Sequence, residues 1–232
     1  MSIKEITSDG YTYAFEVREQ LPDLNVSDEI IIREQFEEDV YEIDGIFGDN
    51  ENVLDLGGNI GAFDIYAISK GAKKVFTFEP EPENMELLKK NIALNNLGDK
   101  IHTYELGVSD KEGEQYLYIW QGGSAVVGMG KSKELPMIKV KLVTFQQMVD
   151  MIEKDFGVTQ FDCLKVDIEG SEYGIFDNVK KETMQKFKNL RFEFHDTSRK
   201  KLCDLIIKLN ETHKVTIMGT YLTGGQIYAN RY

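Results

Sequence analysis

The sequence predicts a doubly wound α/β fold, a mostly parallel sheet of about seven strands ended by a C-terminal antiparallel hairpin. Three observations carry the prediction. From residue 52 short apolar strands alternate with helix-length segments, as parallel strands and their crossover helices do. The first of these strands ends on Gly57-Gly58, where a strand must turn sharply into a helix. Near the end, Val215–Met218 and Gln226–Ala229 leave no room for a crossover helix and so must pair antiparallel.

Residues 1–50 read as an N-terminal extension, an edge or lid on a main domain spanning 51–232. Tyr11 to Val17 alternates at period two, as a half-buried strand does. Ser27-Asp28-Glu29 leads into Ile30-Ile31-Ile32 and an acidic stretch to Tyr41, for which periodicity leaves strand or helix open. Val53–Leu56 is the first core strand, and Ile60–Lys70 carries a helical apolar pattern stopped at Gly71. Val75–Glu79 is the second strand, closed by Pro80 and Pro82; Glu83–Leu94 is the next helix. Ile101–Leu106, Phe161–Asp167 and Leu190–His195 supply strands three to five, with helical patterns around 144–154, 175–187 and 199–212. Glu114–Ile119 and Ile138–Leu142 read as strands flanking a long Gly/Ser/Lys-rich loop from Gly122 to Ser132, a candidate functional loop.

Composition bounds the function. Lys plus Arg number 27 against 40 Asp plus Glu, a formal charge of −13, which opposes non-specific attraction to nucleic acid. Two cysteines, Cys163 and Cys203, make neither a disulfide framework nor a zinc site alone, and both read as core fillers. The first residues lack an apolar signal core, and no run reaches the roughly 18 apolar residues of a membrane helix. A soluble, cytoplasmic protein is expected.

Asp55-Leu56-Gly57-Gly58-Asn59-Ile60-Gly61 lies between strand and helix, where glycines let a ligand approach the helix N-terminus. Eighteen residues past Gly61, Glu79 ends the second strand, where a carboxylate can accept both hydroxyls of an adenosyl ribose. A nicotinamide loop would read G-x-G-x-x-G, but Asn59 and Ala62 stand where its second and third glycines belong. Asp55, just before the glycines, would repel a pyrophosphate and suits the cationic methionyl amine of S-adenosyl-L-methionine.

With these residues in place, the sequence resembles the FkbM-type family of S-adenosylmethionine-dependent methyltransferases. The match lies in Val53–Gly61, Phe78-Glu79-Pro80-Glu81-Pro82-Glu83-Asn84, the spaced Asn91 and Asn95, and Leu164-Lys165-Val166-Asp167-Ile168-Glu169-Gly170-Ser171-Glu172. The last block is the most specific. The resemblance covers roughly residues 50–196. It implies the class I methyltransferase-like seven-stranded fold and methyl transfer, usually to a hydroxyl of a sugar, lipid-linked or small-molecule acceptor. The family often has Ala where Gly58 stands, and often an Asp after the Leu where Val143-Thr144 follows Leu142.

Methyl transfer to an alcohol needs in-line geometry and removal of a proton. Asp167, Glu169 and Glu172 place three acids within six residues at the expected start of a helix. Crowding could raise one pKa and make a base, the acids could hold a divalent cation, or they could simply stabilise a helix dipole. His195 ends the fifth strand, with Glu193 on the same sheet face and Asp196 adjacent to orient the ring. Asp167, Glu169, Glu172 and His195 are therefore the candidate catalytic residues. Asp55, Gly57, Gly58, Asn59, Gly61, Glu79, Asn84, Ser109, Asp110 and Asp167 are the candidate cofactor contacts. Asn84 could face the ribose or cap its helix, while Ser109 or Asp110 could meet the adenine amine or form a plain turn. Lys165, inside a central strand, needs a nearby acid, Asp55 or Glu193. No metal is required by these assignments. An RNA methyltransferase, disfavoured by charge and by the lack of an Asn-Pro-Pro-Tyr loop, and a catalytically lapsed cofactor binder are the alternatives.

Overall fold

A computed structural model describes residues 1–19, 27–48, 50–119, 126–127, 137–168, 172–195, 198–220, 222 and 224–232. Ser2–Ser8 (β1) and Tyr11–Val17 (β2) form an antiparallel hairpin. Its two-residue turn is Asp9-Gly10, both at positive φ, the pair such turns favour. Asp28–Phe36 is a helix (α1), which settles the open alternative. Ser27 Oγ accepts from the Ile30 amide, and Asp28 and Glu29 sit in the first turn against the helix dipole.

The main domain follows the predicted alternation. Its elements are Asn52–Leu56 (β3), Ala62–Ser69 (α2), Lys74–Phe78 (β4), Pro82–Leu94 (α3) and Ile101–Tyr104 (β5). Gly107–Ser109 (β6), Gly113–Ile119 (β7), Val126–Val127 (β8) and Met137–Thr144 (β9) come next, then Phe145–Phe156 (α4) and Phe161–Val166 (β10). Lys181–Met184 (α5), Phe187–Phe194 (β11), Arg199–Leu209 (α6), His213–Thr220 (β12) and Gly224–Arg231 (β13) complete the chain. The seven-stranded sheet has the order β12-β13-β11-β10-β3-β4-β5, and β13 runs antiparallel to both its neighbours. β12 and β13 are the hairpin expected from the sequence.

Alternation along the strands sends side chains to two cores. Leu54, Leu56, Phe76 and Phe78 pack with α4 and α6 on one face. Val53, Val75 and Cys163 pack on the other with α2 and α3, and there β2 and α1 join them through Phe15, Val17 and Ile32. The extension thus shares the domain's core. The strands flanking the Gly/Ser/Lys-rich loop form a second sheet, β6-β9-β7-β8; most of that loop lies outside the described residues.

Two expectations need correction. The pattern at 175–187 is not one helix: residues 172–178 are turns, only Lys181–Met184 is helical, and Phe187 already belongs to β11. Ile175, Phe176, Val179 and Met184 are all buried, so core burial along a turning chain imitated a helical stripe, in a stretch rich in Gly174, Asp177 and Asn178. Cys163 is buried, but Cys203 is exposed. The inner stripe of α6 is Leu202, Leu205 and Leu209, and Cys203 falls one position off it. Among the described residues no helix is long and apolar enough to cross a membrane.

Candidate active site

The glycine turn is dictated first by the protein itself. Gly57 has φ of 89°, and a Cβ there would lie 1.8 Å from the Asp167 carbonyl oxygen, because β3 and β10 leave the sheet side by side. A Cβ on Gly58 would lie 2.1 Å from Thr77 Oγ1, so Ala at this position, common in the family, does not fit this chain unchanged. Gly61, also at positive φ, is the N-cap of α2. The turn is pinned to β4 by Gly57 N–H donating to Phe78 O at 2.9 Å.

Glu79 stands just beyond β4, 4% exposed, between two backbone donors. Asn59 N–H donates to Oε2 and Glu81 N–H to Oε1, each at 2.8 Å. Burial pushes its carboxyl up to about 7 against those two hydrogen bonds. Carboxylate oxygens have about four lone-pair sites, so two remain for hydroxyl donors.

Beneath the turn lies a buried charge group. Lys165 Nζ donates to Gly57 O at 2.7 Å and lies 3.1 Å from Asp55 Oδ1 and 3.7 Å from Asp167 Oδ2. Its carboxylate neighbours raise its pKa despite burial. Asp55 and Asp64 are both fully buried. Burial and the Asp55 charge raise the Asp64 carboxyl well above its usual range. Asp55, which the sequence offers to a ligand amine, lies 3.1 Å from Lys165 Nζ and is not among the residues that line the neighbouring cleft. It neutralises Lys165, which fixes the Gly57 carbonyl.

A cleft of about 330 Å³ opens on the other side of Lys165. It is lined by the glycine turn and Phe63, by Glu193, His195 and Gln226, and by Tyr41 and residues of α1. Tyr41, 3% exposed, has its hydroxyl 3.1 Å from Asp167 Oδ2 and 3.3 Å from Glu193 Oε2. Burial and those carboxylates raise the phenol's pKa, so it stays a donor shared between them. Lys165 Nζ sits 5.6 Å from the Tyr41 ring centroid and 5.7 Å from that of Phe63, within cation–π range. Burial and Asp167 push the Glu193 carboxyl up to about 7. His195 Nδ1 is 3.0 Å from Oε1 of the buried Glu172, and its Nε2 is 4.0 Å from Glu193 Oε1.

Asp167, Glu172 and His195 are thus brought together with Glu193, whereas Glu169 and Asp196 lie outside the described residues. The expected helix start at this acidic run is absent from residues 172–178, which are turns; Glu172 serves His195 instead of a helix dipole. Asn84 neither caps α3 nor lines the cleft. Its Oδ1 accepts from Arg18, and Glu81 is the N-cap. Ser109 Oγ and Asp110 Oδ1 are 3.0 Å apart at the end of β6, away from the cleft lining. Sequence reading did not single out Tyr41, Asp64, Glu34 or Gln35 as site residues. The acidic helix after Ser27 was the only signal for the two on α1, and nothing local marks the other two.

Sheet order, reversed penultimate strand and a cleft at the carboxyl ends of β3, β10 and β11 define a class I methyltransferase fold. Residues 55–214 match the methyltransferase FkbM domain family, and the chain belongs to it. It is 26% identical to "Methyltransferase sdnD" of Sordaria araneosa over 198 residues, covering 73% of this chain and 76% of that protein. It is also 26% identical to "Methyltransferase 1" of Beauveria bassiana, covering 83% and 81%. Among solved structures, the METTL16 MTase domain is similar in fold, with a TM-score of 0.51 at 14% identity, covering 87% of this chain and 68% of that one. The protein is a methyltransferase.

Proposed function

We propose that this enzyme transfers the methyl group of S-adenosyl-L-methionine to a hydroxyl of a sugar, lipid-linked or other small-molecule acceptor. The residues fit an adenosyl group. Glu79 keeps two lone pairs for ribose hydroxyls, and Gly57, Gly58 and Asn59 line the neighbouring cleft. Ser109 and Asp110, on the neighbouring strand end, are the residues proposed for the adenine amine, and Asp167 for the methionyl amine. When bound, the cofactor supplies a methyl on a sulfonium, so the chain must orient an acceptor oxygen and take its proton.

The observation that carries the reading is the Glu172–His195 pair at the rim of the cleft. A carboxylate on Nδ1 fixes the tautomer with that nitrogen protonated and leaves Nε2 as the base. Asp167 and Glu193, bridged by Tyr41, would hold the acceptor hydroxyl beside it.

Two measurements test this. Calorimetry should show S-adenosylhomocysteine binding and NAD silent, with Glu79→Ala weaker by about 1.5–3 kcal/mol, the scale of charge-assisted hydrogen bonds. A screen of alcohols and saccharides with labelled cofactor should give a methyl ether. His195→Ala should then cut turnover by about 10²–10⁴-fold with cofactor affinity kept. Label found only on nitrogen or carbon would reject the oxygen assignment.

A further inference from the structure

The cleft is rich in hydrogen-bond acceptors whose charge the protein leaves unbalanced. Glu34, Asp167 and Glu193 line it as carboxylates, and Lys165 is the lining cation. Lys165 is already matched by the buried Asp55, and His195, even if protonated, by the buried Glu172. With Asp167 given to the methionyl amine, Glu34 and Glu193 are the lining acids left without a cation among the lining residues. The hydroxyl proton of Tyr41 is committed to Asp167 and Glu193.

Gln35 gives an independent sign. It lines the cleft from α1 and is 5% exposed, and among the described residues its Oε1 has no hydrogen-bond donor. Native proteins leave few buried acceptors so, because each costs about 1–3 kcal/mol. A protonated amine would supply both a charge and three N–H donors. Among the described residues no three His, Cys, Asp or Glu side chains are grouped to hold a metal ion, which favours an organic cation.

We infer that the acceptor carries a protonated amino group, held by Glu34, Gln35 and Glu193, beside the hydroxyl that His195 deprotonates. This rests on the methyl-transfer reading above and narrows its substrate to amino sugars or amino alcohols. The raised carboxyls agree with it. Glu34 is shifted upward by burial, Glu38 and Asp167, and Glu193 also feels Glu34. The cofactor's methionyl amine is the other possible source of that charge. Glu34 and Gln35 line the cleft together with Glu193 and His195, and Glu79 lies outside that lining, which favours the acceptor.

The test uses the full chain saturated with S-adenosylhomocysteine. Calorimetry compares matched pairs: glucosamine with glucose, galactosamine with galactose, and tyramine with 4-hydroxyphenethyl alcohol. The amine should bind about tenfold tighter than its neutral twin in at least one pair, the scale of a charge-assisted hydrogen bond. Glu34→Gln, isosteric and half-buried, should abolish that preference, with S-adenosylhomocysteine affinity within about twofold of the parent. Glu193→Gln should weaken the same preference, and unchanged melting curves would establish that both variants fold. Absence of any amine preference, or its survival in both variants, would overturn the inference. So would Glu34→Gln weakening S-adenosylhomocysteine as much as the amine, which would assign the cation to the cofactor. Failure of the parent to bind S-adenosylhomocysteine would instead remove the methyl-transfer reading itself.

Discussion

Burial holds the Glu79 carboxyl up at about 7 even though Asn59 and Glu81 each donate a backbone N–H to it. Ribose hydroxyls would donate to its ionised form, so a bound adenosyl group should lower that pKa. Cofactor affinity should therefore rise with pH below and through 7, by up to about tenfold per pH unit, and level off above. Calorimetry of S-adenosylhomocysteine from pH 5.5 to 8.5 checks this, and Glu79→Gln should flatten the curve. At the same scale, Gly58→Ala forces a Cβ to 2.1 Å from Thr77 Oγ1 and 2.9 Å from Leu88 Cδ1. It should destabilise by about 1–3 kcal/mol in a chemical-denaturation experiment, as overpacking does. The glycines and Glu79 were legible in the sequence because strand, turn and acid follow one another along the chain. The reason for Gly57 was not. Its neighbour is the carbonyl of Asp167, 110 residues away, so what looked like room for a ligand is first room for a strand. The partners of Asp55 were hidden for the same reason, since Lys165 and Asp64 reach it only in the folded sheet.

The N-terminal elements are attached by the two spaced asparagines. Asn91 Oδ1 accepts from Glu16 N–H at 2.7 Å and its Nδ2 donates to Ile60 O at 2.9 Å. Asn95 takes the Ala14 N–H at 2.9 Å and returns a bond to Ala14 O at 2.7 Å. One turn apart on α3, their side chains give β2 the alternate-residue pairing that a neighbouring strand would give. Removing Asn91 orphans a buried amide and a carbonyl. Asn91→Ala should thus lower the opening free energy of the extension by about 2–3 kcal/mol. Hydrogen exchange would show faster exchange at residues 11–17 with β3 and β4 still protected. Uniform loss of protection would mean that the extension and domain unfold as one unit. Asn91 and Asn95 were visible as a family feature, but their partners on β2, Ala14 and Glu16, lie outside the resemblance. Tyr41 was hidden by the same gap: it meets Asp167 and Glu193, 126 and 152 residues away, only in the folded chain.

For the whole molecule, several buried carboxyls shifted upward give an unusual pH response. Glu79 and Glu193 rise to about 7, and burial raises Asp55 and Asp64 as well. A carboxyl with a higher pKa in the folded state binds more protons folded than unfolded between its two pKa values. The stability it contributes is then fully present below its unfolded value, near 4.5 for Glu, and is lost as pH rises towards 7. The slope for Glu79 is at most about 1.4 kcal/mol per pH unit, and the partly exposed Glu193 adds less. The formal charge of −13 acts in the same direction, since ionising further acids in an acidic chain adds repulsion. Ligand-free protein should therefore melt at a lower temperature at pH 7.5 than at pH 5.5, the reverse of a protein held by ion-paired carboxylates. Glu79→Gln should reduce that difference. Saturating S-adenosylhomocysteine should restore more stability at pH 7.5 than at 5.5, because its hydroxyls supply the donors that the ionised carboxyl lacks. A melting temperature that stays level or rises across this range would show that these acids are solvated in the folded chain. The donor-poor cleft would then need no ligand to balance it.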